Sequence, residues 1–370
     1  MDGFNSFELP QGGTTHNKKG NLFMTTKTSR WQRIAMLATG ISTSMVSMAW
    51  GQNLYQTRSD GSIWEYTGIP CKNAFSCPGW LELDNNPNLS MIAAGGGALY
   101  EMHQDGSIWW YIGPACSGGS CRGWVELDNN PYALAIGAGA NGIPYEVHTD
   151  GSLWEWNGVI CIGGFCPGWT ELSGSYLLGW CGADFGANAD VLVRQDLCED
   201  DLYLFGGAFN TWEYTFFSAN FVVGANDMYL WLYNNNSICQ YTTNPPTAVQ
   251  LSGEDIPLRS IAAGGGLYQQ RTDSSIWQYT GTPCNGTTCP GWVEIDNHTD
   301  SLGPVAGANV AGSNTVYQIR QTPAGDNSIW KYTGTPCSGN VCSGWVQLDA
   351  NPKTMFIVAG PVTFGGPVTY

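Results

Sequence analysis

Polar side chains suited to ligand binding recur at one place in a repeated phrase of the sequence. The phrase contains a residue with a cationic or imidazole side chain beside a short turn that most often reads Asp-Gly-Ser. These residues are Arg58, His103, His148, Arg271 and Arg320. A Gln or Glu stands two positions before each of them, and side chains two positions apart in a strand lie on one face. The pattern predicts a hydrogen-bonding pair of side chains beside a hairpin turn.

A second set of candidate residues follows later in the phrase, which reads Gly-Trp-x-Glu-Leu-Asp-Asn-Asn-Pro in its fullest form. The Trp and the Asp lie on one face of a strand. The Asp-Asn loop emerges at the same rim as the hairpin turn, because alternate strand ends point the same way. The predicted result is a polar notch, flanked by Trp, between neighbouring repeats. Its further members are Trp80, Asp84, Asn85, Trp124, Asp128, Asn129, Trp169, Trp292, Asp296, Trp345 and Asp349.

Such a notch suits sugar recognition. Hydroxyl groups need donors such as Arg or His beside carboxylates and amides, and the apolar face of a pyranose packs on an indole. Structural interpretations stay open for the same residues. The Gly-Trp indoles could lie in the core, the Arg could pair with a carboxylate of the neighbouring repeat, and the Asp-Asn-Asn-Pro loop could simply form a turn. We expect the other indoles, those of the Ile-Trp phrase, to lie in the core between repeats. They are Trp64, Trp109, Trp154, Trp277 and Trp330.

The elements that must position these residues follow from the repeat itself. The phrase recurs every ~45 residues, and a period in this range with several short strands per repeat is typical of a β-propeller. Clear copies begin at Tyr55, Tyr100, Tyr145, Tyr268 and Tyr317, and degenerate copies begin near Val191 and Tyr229. We therefore predict an all-β, seven-bladed β-propeller in which each blade is a four-stranded antiparallel sheet.

Each repeat divides into four predicted strands. In the first repeat the outer strands are residues 54–58, 63–67 and 80–83, and the Asp-Gly turn between the first two is a strong hairpin signal. Inner strands are predicted near residues 91, 135, 178, 220, 259, 303 and 356. The last inner strand, residues 355–360, has no following repeat. We predict that it completes the first blade and so closes the ring.

Blades four and five are the degenerate ones, and they lack the paired cysteines of the other repeats. The predicted outer strands are residues 191–196, 202–205 and 212–214 in blade four, and 228–233, 238–241 and 248–251 in blade five. We expect these blades to keep the fold and to lose the shared chemistry.

The first 50 residues have two competing interpretations. The basic residues Lys27, Arg30 and Arg33 precede an apolar stretch and a small-residue run, as in a secretory leader. Alternatively, residues 20–34 are a worn repeat that would provide an eighth blade. We favour the leader. The predicted domains are an N-terminal leader or extra segment, residues 1–50, and a propeller domain, residues 51–370.

Ten of the 13 cysteines form local pairs with four or five residues between them. Zinc knuckles have two intervening residues and a second ligand pair nearby, so we predict loop-stapling disulfides. The pairs are Cys71 with Cys77, Cys116 with Cys121, Cys161 with Cys166, Cys284 with Cys289, and Cys337 with Cys342. Cys239 is predicted to be a free buried thiol, which leaves Cys181 and Cys198 as candidates for a sixth bridge. Disulfides indicate an oxidising compartment and a secreted protein.

Composition and motifs exclude several classes of function. The 14 Lys and Arg against 30 Asp and Glu give a net charge of −16, which repels a phosphate backbone, so no nucleic-acid partner is predicted. We also predict no integral membrane span. No Ser-His-Asp order, Gly-rich phosphate loop or His-x-x-x-His motif is present, so no enzyme activity, cofactor or metal site is predicted. The loop at residues 84–86 has oxygen donors but lacks the spacing of a calcium loop.

The repeated phrases resemble those of the tectonin or tachylectin-like β-propeller lectins, which include seven-bladed bacterial and fungal members. The phrases Leu-Tyr, Asp-Gly-Ser-Ile-Trp and Gly-Trp-x-Glu-Leu carry the resemblance over roughly residues 53–360. It implies glycan binding between neighbouring blades, although the stapled loops depart from the family pattern. The sequence thus predicts a multivalent carbohydrate-binding protein whose partners are glycans or glycoconjugates. The alternatives are a non-catalytic protein-binding scaffold that uses blades four and five and, third, a glycosidase.

Overall fold

The computed structural model describes most of the chain from residue 54 to residue 360. The gaps are residues 74–75, 140, 174–182, 188–190, 197–200, 207–211, 224–227, 233–236, 244–245, 254–255, 265, 286–287 and 309–313. The leader and the worn repeat predicted within the first 50 residues lie outside the described residues. By its internal contacts, the segment from Trp50 to Tyr370 is one compact unit.

The described residues form 27 β-strands and no helix. Five sheets have four strands each, with antiparallel neighbours. The first blade consists of β1 (Leu54–Arg58), β2 (Ile63–Tyr66), β3 (Trp80–Asp84) and, on the inner side of β1, the last strand of the chain, β27 (Thr354–Ala359). The second blade consists of β4 (Leu89–Gly95), β5 (Ala98–His103), β6 (Ile108–Tyr111) and β7 (Trp124–Asp128). The third blade consists of β8 (Ala133–Ala138), β9 (Pro144–His148), β10 (Leu153–Trp156) and β11 (Trp169–Ser173).

Two further four-stranded sheets follow the degenerate repeats. The sixth predicted blade consists of β19 (Leu258–Ala263), β20 (Leu267–Arg271), β21 (Ile276–Tyr279) and β22 (Trp292–Asp296). The seventh consists of β23 (Ser301–Ala308), β24 (Asn314–Gln321), β25 (Asn327–Tyr332) and β26 (Trp345–Asp349). In all five blades the repeat phrase occupies the same strands.

The degenerate repeats form one seven-stranded sheet, in which blades four and five share one long strand. Its strands are β12 (Ala183–Ala187), β13 (Val191–Asp196), β14 (Asp201–Gly206), β15 (Trp212–Val223), β16 (Met228–Leu232), β17 (Ile238–Thr243) and β18 (Pro246–Gln250). The first half of β15 pairs with β14 and the second half with β16. The outer strand predicted at 212–214 and the inner strand predicted near 220 are therefore one strand. The physical reason is that residues 212–219 contain no Gly, Pro, Asn or Asp, whereas Asp-Asn-Asn-Pro breaks the chain after the third strand of the first and second blades.

The inner strands form a closed ring. They contact one another in the order β27, β4, β8, β12, β15, β19, β23 and back to β27. The chain is thus a β-propeller, and the prediction that its last strand completes the first blade is confirmed by the pairing of Tyr55 with Val358. One inner strand was misplaced by the sequence pattern: β12 lies at Ala183–Ala187, and residue 178 lies outside the described residues.

The core fills the spaces between the faces of neighbouring blades. One cluster joins Tyr55, Ile63 and Leu83 of the first blade to Ile92 and Leu99 of the second. Burying each of these side chains stabilises the fold by roughly 1.5–3 kcal/mol. The prediction that the Ile-Trp indoles lie in this core is wrong, because all five are partly exposed. Tyr, Ile and Leu from the repeated strands take that place.

The five predicted disulfides are present, and Cys239 is a buried free thiol, as predicted. Cys181 and Cys198 lie outside the described residues. Each stapled loop attaches to the preceding blade through a backbone N–H: Cys116 N, for example, donates to Glu82 O at 3.0 Å. The staples therefore hold loops that connect blades. Among the described residues, no helix has the length and apolar character needed to cross a membrane.

Candidate binding sites at the blade seams

Polar side chains of neighbouring blades meet at the seams between the blades, where the polar notch was predicted. One blade supplies a residue at the end of its third strand or, for Ser252, two positions beyond it. The next blade supplies two side chains from its first strand and an indole from its second. We call such a group of four a seam site. The five described seam sites are Asp349 with Gln56, Arg58 and Trp64; Asp84 with Glu101, His103 and Trp109; Asp128 with Glu146, His148 and Trp154; Ser252 with Gln269, Arg271 and Trp277; and Asp296 with Gln318, Arg320 and Trp330.

Two of these sites, which we call Gln-Arg seams, are held together by a guanidinium and a carboxylate. At the seam between blades six and seven, Arg320 Nη2 donates to Asp296 Oδ1 at 2.9 Å and Gln318 Nε2 donates to Asp296 Oδ2 at 3.0 Å. The guanidinium carbon lies 4.5 Å from the centroid of the Trp330 ring. Burial lowers the pKa of Arg320, yet an arginine stays protonated at neutral pH. The Asp296 carboxylate thus accepts from both the amide and the guanidinium, whereas Gln318 Oε1 and Arg320 Nε are buried without a hydrogen-bond partner among the described residues.

The second Gln-Arg seam joins blades seven and one and has the same arrangement. Gln56 Nε2 donates to Asp349 Oδ2 at 2.8 Å, and Arg58 Nη2 lies 3.5 Å from the same oxygen. The guanidinium carbon of Arg58 lies 4.0 Å from the centroid of Trp64. A cation over an indole at this distance gains roughly 0.5–2 kcal/mol. The Ile-Trp indoles are therefore platforms for the cation, a role that the sequence pattern did not predict.

Two other sites, which we call Glu-His seams, combine two carboxylates with an imidazole. Between blades one and two, His103 Nε2 lies 3.2 Å from Glu101 Oε1, and the Asp84 carboxylate completes the group. Between blades two and three, His148 Nε2 lies 3.0 Å from Glu146 Oε1 beside Asp128. The imidazoles lie 5.8 and 5.3 Å from the indoles of Trp109 and Trp154, measured between ring centroids. Both seams thus have one geometry.

The environment of the Glu-His seams changes the proton affinity of their groups. Burial raises the pKa of Glu101 to about 7 despite its hydrogen bond to His103, and the charge of Asp84 adds to the shift. Glu146 has its pKa raised to about 7 by burial, with a further contribution from Asp128. For His103, burial favours a lower pKa, but the hydrogen bond to Glu101 and the surrounding carboxylates outweigh it and raise the pKa. A proton is therefore held more tightly in this cluster than on isolated side chains.

The fifth site, between blades five and six, lacks the carboxylate. Ser252 takes the position of the Asp and bonds to the backbone N–H of Ile238 at 2.7 Å. Gln269 is fully buried, and neither atom of its amide has a hydrogen-bond partner among the described residues. Arg271 lies over Trp277 at 3.9 Å, and burial lowers its pKa. We call this site the Arg271 seam.

The Gly-Trp indoles, which were predicted site residues, fasten the blades together. Each donates its Nε1–H to a backbone carbonyl of the preceding blade at 2.7–3.0 Å, and each packs against a core cluster. The donors and acceptors are Trp80 to Leu348, Trp124 to Leu83, Trp169 to Leu127, Trp292 to Leu251, and Trp345 to Ile295. The preceding Gly is required because a Cβ on Gly79 would lie 1.9 Å from Ile69 O.

The two Asn residues of the rim loop have different roles. Asn85 and Asn129, which were predicted site residues, donate to Gly119 O and Gly164 O in the stapled loop of the next blade, at 3.3 and 2.9 Å. The following Asn reaches the site instead. Asn86 Nδ2 lies 3.2 Å from His103 Nε2, and Asn130 Nδ2 lies 3.4 Å from His148 Nε2. Only the hydrogen bonds across the seam distinguish the two Asn positions, so the repeat pattern contains no signal for this difference.

Comparisons with known proteins assign no family to the chain. No protein-family model matches it, and no curated protein sequence matches it. Similar solved structures include Kap60 bound to yeast RCC1 (Prp20), with 10% identity, a TM-score of 0.47 and coverage of 82% of this chain and 83% of that chain. AofleA from Arthrobotrys oligospora has 14% identity, a TM-score of 0.38 and coverage of 74% and 89%. The dihydro-heme d1 dehydrogenase NirN has 11% identity, a TM-score of 0.45 and coverage of 87% and 78%. Similarities this low do not assign a function.

Proposed function

We propose that the protein is a secreted, multivalent lectin of the tectonin-like kind that binds glycans at the blade seams. The observation that supports this most strongly is the recurrence of one constellation, a partly exposed indole under a cationic or imidazole group with an amide or carboxylate beside it. A sugar offers hydroxyl groups to the polar members and an apolar face to the indole. The five disulfides fit an extracellular setting.

Repetition around the ring gives this function a physical advantage. A shallow site with few hydrogen bonds binds a sugar weakly, but several copies on one rigid ring engage a branched or surface-bound glycan together. Avidity can then exceed the affinity of a single site by 10²–10⁴, roughly, with no additional contact. The stapled loops support this mode because they fix the distances between neighbouring seams.

The Arg271 seam has the most unpaired polar groups of the five described seams. At the Gln-Arg seams a carboxylate of the protein already pairs with the amide and the guanidinium, whereas Ser252 leaves Gln269 and Arg271 without that acceptor. A ligand hydroxyl or carboxylate can act as the acceptor that the Asp provides elsewhere. Unpaired buried polar groups cost about 1–3 kcal/mol each, so a ligand that pairs with them recovers that energy. We expect this seam to bind glycans most tightly.

A glycan array with matched arginine variants tests the proposal. Arg271→Ala removes the unpaired guanidinium, and Arg122→Ala is the control because Arg122 is exposed in a stapled loop and bonds only to Ser120 among the described residues. We expect R271A to weaken glycan binding at least about tenfold, since a charge-assisted hydrogen bond contributes roughly 1.5–3 kcal/mol. R122A should bind as the native protein does. A triple variant, Arg58→Ala with His103→Ala and Arg271→Ala, that binds glycans undiminished would remove these residues from the site.

A protein-binding scaffold is the second candidate, and one observation favours it. A groove of about 740 Å³ lies between blades five and six, lined by Gln240, Val249, Gln278, Tyr279 and others. Its location beside the degenerate blades is where a unique protein partner would bind. Crystals soaked with simple sugars separate the two functions, because sugar at several seams supports the lectin and an empty ring supports the scaffold.

We do not propose a glycosidase. The carboxylate oxygens of Asp84 and Glu101 used in the seam lie within 4.8 Å of each other, and those of Asp128 and Glu146 do too. Glycosidases hold their two carboxyl groups further apart, about 5–5.5 Å in retaining enzymes and 6.5–9.5 Å in inverting ones. Buried pairs of carboxylates this close together do not favour a glycosidase.

A further inference from the structure

The Glu-His seams differ from the Gln-Arg seams in their balance of charge. At a Gln-Arg seam, the guanidinium of Arg320 balances Asp296, and Gln318 is neutral. At a Glu-His seam, two carboxylates face one imidazole, and Asp84 and Glu101 are 6% and 2% exposed. Buried charges in proteins are paired or bind metals, because transfer of an unpaired ion out of water is costly. The residues of a Glu-His seam thus supply less positive charge than the guanidinium supplies elsewhere.

Hydrogen bonds on the outer side of His103 fix its tautomer. Ser107 Oγ donates its proton to Asp105 Oδ1 at 2.7 Å and accepts from Trp109 Nε1 at 3.0 Å. Its contact with His103 Nδ1 at 3.2 Å therefore has the imidazole N–H as the donor. The second copy repeats the arrangement, with Ser152 between His148 and Asp150. In the neutral imidazole, the proton is on Nδ1 and the Nε2 lone pair faces the carboxylates.

The contacts of Asn86 agree with this assignment. Asn86 Oδ1 accepts a hydrogen bond from the backbone N–H of Asn88 at 3.0 Å, which directs the amide NH₂ toward His103 Nε2. Nε2 is thus an acceptor, and its neighbour Glu101 Oε1, at 3.2 Å, is an acceptor as well. Two acceptors at this distance need a proton or a metal cation between them. Asn130, with its Oδ1 bonded to the N–H of Tyr132, repeats the contact at His148.

A second, independent observation lies on the other carboxylate oxygen. Glu101 Oε2 and Glu146 Oε2 are buried, and neither accepts a hydrogen bond from a donor among the described residues. Glu101 and Glu146 themselves are 2% and 1% exposed. A buried carboxylate oxygen without a donor is unusual in native proteins and points to a partner from outside the chain.

We propose that each Glu-His seam binds a divalent transition-metal ion. The ligands are Asp84, Glu101 and His103 at one seam, and an equivalent set, Asp128, Glu146 and His148, at the other. The ligand atoms of each set lie within 4.8 Å of one another. An ion about 2.0–2.2 Å from each ligand holds them at most about 4.4 Å apart, so only a small inward movement is needed.

The donor set selects the class of ion. One imidazole with two carboxylates suits Zn²⁺ or Mn²⁺, whereas Ca²⁺ and Mg²⁺ prefer oxygen ligands alone. Three protein ligands leave a position open, as in zinc sites that bind a further ligand. The bond from Nδ1–H to Ser107 is the outer-shell contact that orients a metal-bound histidine. The inference does not depend on glycan binding, since protein atoms alone hold the ion.

Zinc stoichiometry tests the inference. Native protein, freed of metal with a chelator and desalted, is titrated with ZnCl₂ alone by calorimetry and checked by elemental analysis. We expect two ions per chain. Glu101→Gln with His103→Arg gives the first Glu-His seam the residues of a Gln-Arg seam and should reduce the number to one. Adding Glu146→Gln with His148→Arg should reduce it to none.

A control variant and a nuclear magnetic resonance measurement distinguish binding at the seams from binding at the acidic surface. Asp326→Asn removes an exposed carboxylate outside the seams and should leave two ions bound. In the native protein, Zn²⁺ should shift the imidazole ¹⁵N resonances of His103 and His148 and leave those of His298 in place. Zinc that binds equally to the four-substitution variant would be adventitious binding by the acidic surface and would overturn the inference. Failure of the native protein to bind zinc would show that a proton takes the cation position, and would overturn it too.

Discussion

The Gln-Arg and Glu-His seams occupy equivalent positions on one ring, and they neutralise a buried Asp in different ways. Both bring a buried Asp from one blade against the first strand of the next. At the seam with Arg320 the protein supplies a permanent cation, whereas at the seam with His103 it supplies a titratable imidazole. Two positions of the repeat, separated by one residue, therefore determine whether a seam is neutralised by its own charges or binds an external cation.

The largest expected difference between the two kinds of seam is the loss of folding stability when the Asp that both contain is replaced by Asn. Asp296→Asn leaves the buried guanidinium of Arg320 without its ion pair, which should lower the free energy of unfolding by about 3 kcal/mol. Asp84→Asn removes one of two neighbouring carboxylates at a Glu-His seam and should change it by less than about 1 kcal/mol. Urea unfolding at pH 7 with a chelator present measures both. Equal losses in the two variants would contradict the distinction between the seams.

A second expectation concerns pH. In metal-free protein, the pKa values of Glu101 and Glu146, raised to about 7, lie above those of the unfolded chain. A raised pKa gives stability that is complete below the unfolded pKa, near 4.5, and is lost as the pH rises through the folded pKa. The raised pKa values of His103 and His148 act in the same direction.

The native protein should therefore lose stability between about pH 5 and pH 8, by up to about 3 kcal/mol for each Glu-His seam, since one pKa unit corresponds to about 1.4 kcal/mol. Unfolding by urea across this range, with a chelator present, is the measurement. The matched variant is Glu101→Gln with Glu146→Gln, which should flatten the profile. A variant with the native pH profile would show that other groups control it.

The smallest expected effect is on backbone strain in the turn beside the Arg271 seam. Ser274 has a φ of +70°, where the equivalent residues Gly61 and Gly106 have +83° and +86°. Because a side chain is strained in this region, Ser274→Gly should stabilise the protein by about 0.5–1 kcal/mol in thermal unfolding. The reverse change, Gly106→Ser, should destabilise it by more, since a Cβ there would lie 2.3 Å from Asn130 O. If S274G is less stable than the native protein, the positive φ of Ser274 does not strain the turn.

The sequence predicts the blades well because the information within a blade is local. The Asp-Gly turn, the alternating strand residues and the paired cysteines lie within one repeat, and the structure confirms their elements. Two strands were predicted from the sequence where β15 is one, because the repeat pattern implies a turn there and the residues that would form it are absent. In the seams, each site joins residues of two repeats, such as Asp84 and His103, and only the ring brings them together.

The roles of the two Trp sets were also not predictable from the sequence, because they depend on contacts between blades. Both the Ile-Trp and the Gly-Trp phrases place an indole on a strand, and alternation alone does not tell which neighbour it meets. In the fold, Trp64 lies under the guanidinium of Arg58 while Trp80 bonds to Leu348 of the preceding blade. Glu101 and Glu146 were on the predicted face but outside the predicted set of site residues. Their charge, set against the Gln of the other repeats, was the signal that could have identified them.

The most direct test of the central claim is a crystal structure of the protein soaked with the glycan that binds best on the array. Sugar should occupy the seams, first at Arg271 and Gln269, with its polar groups on the guanidinium and the amide and its ring against Trp277. The seams should fill before any other surface of the ring. Sugar bound only away from the seams, with Arg271 and Gln269 still unpaired, would contradict the account.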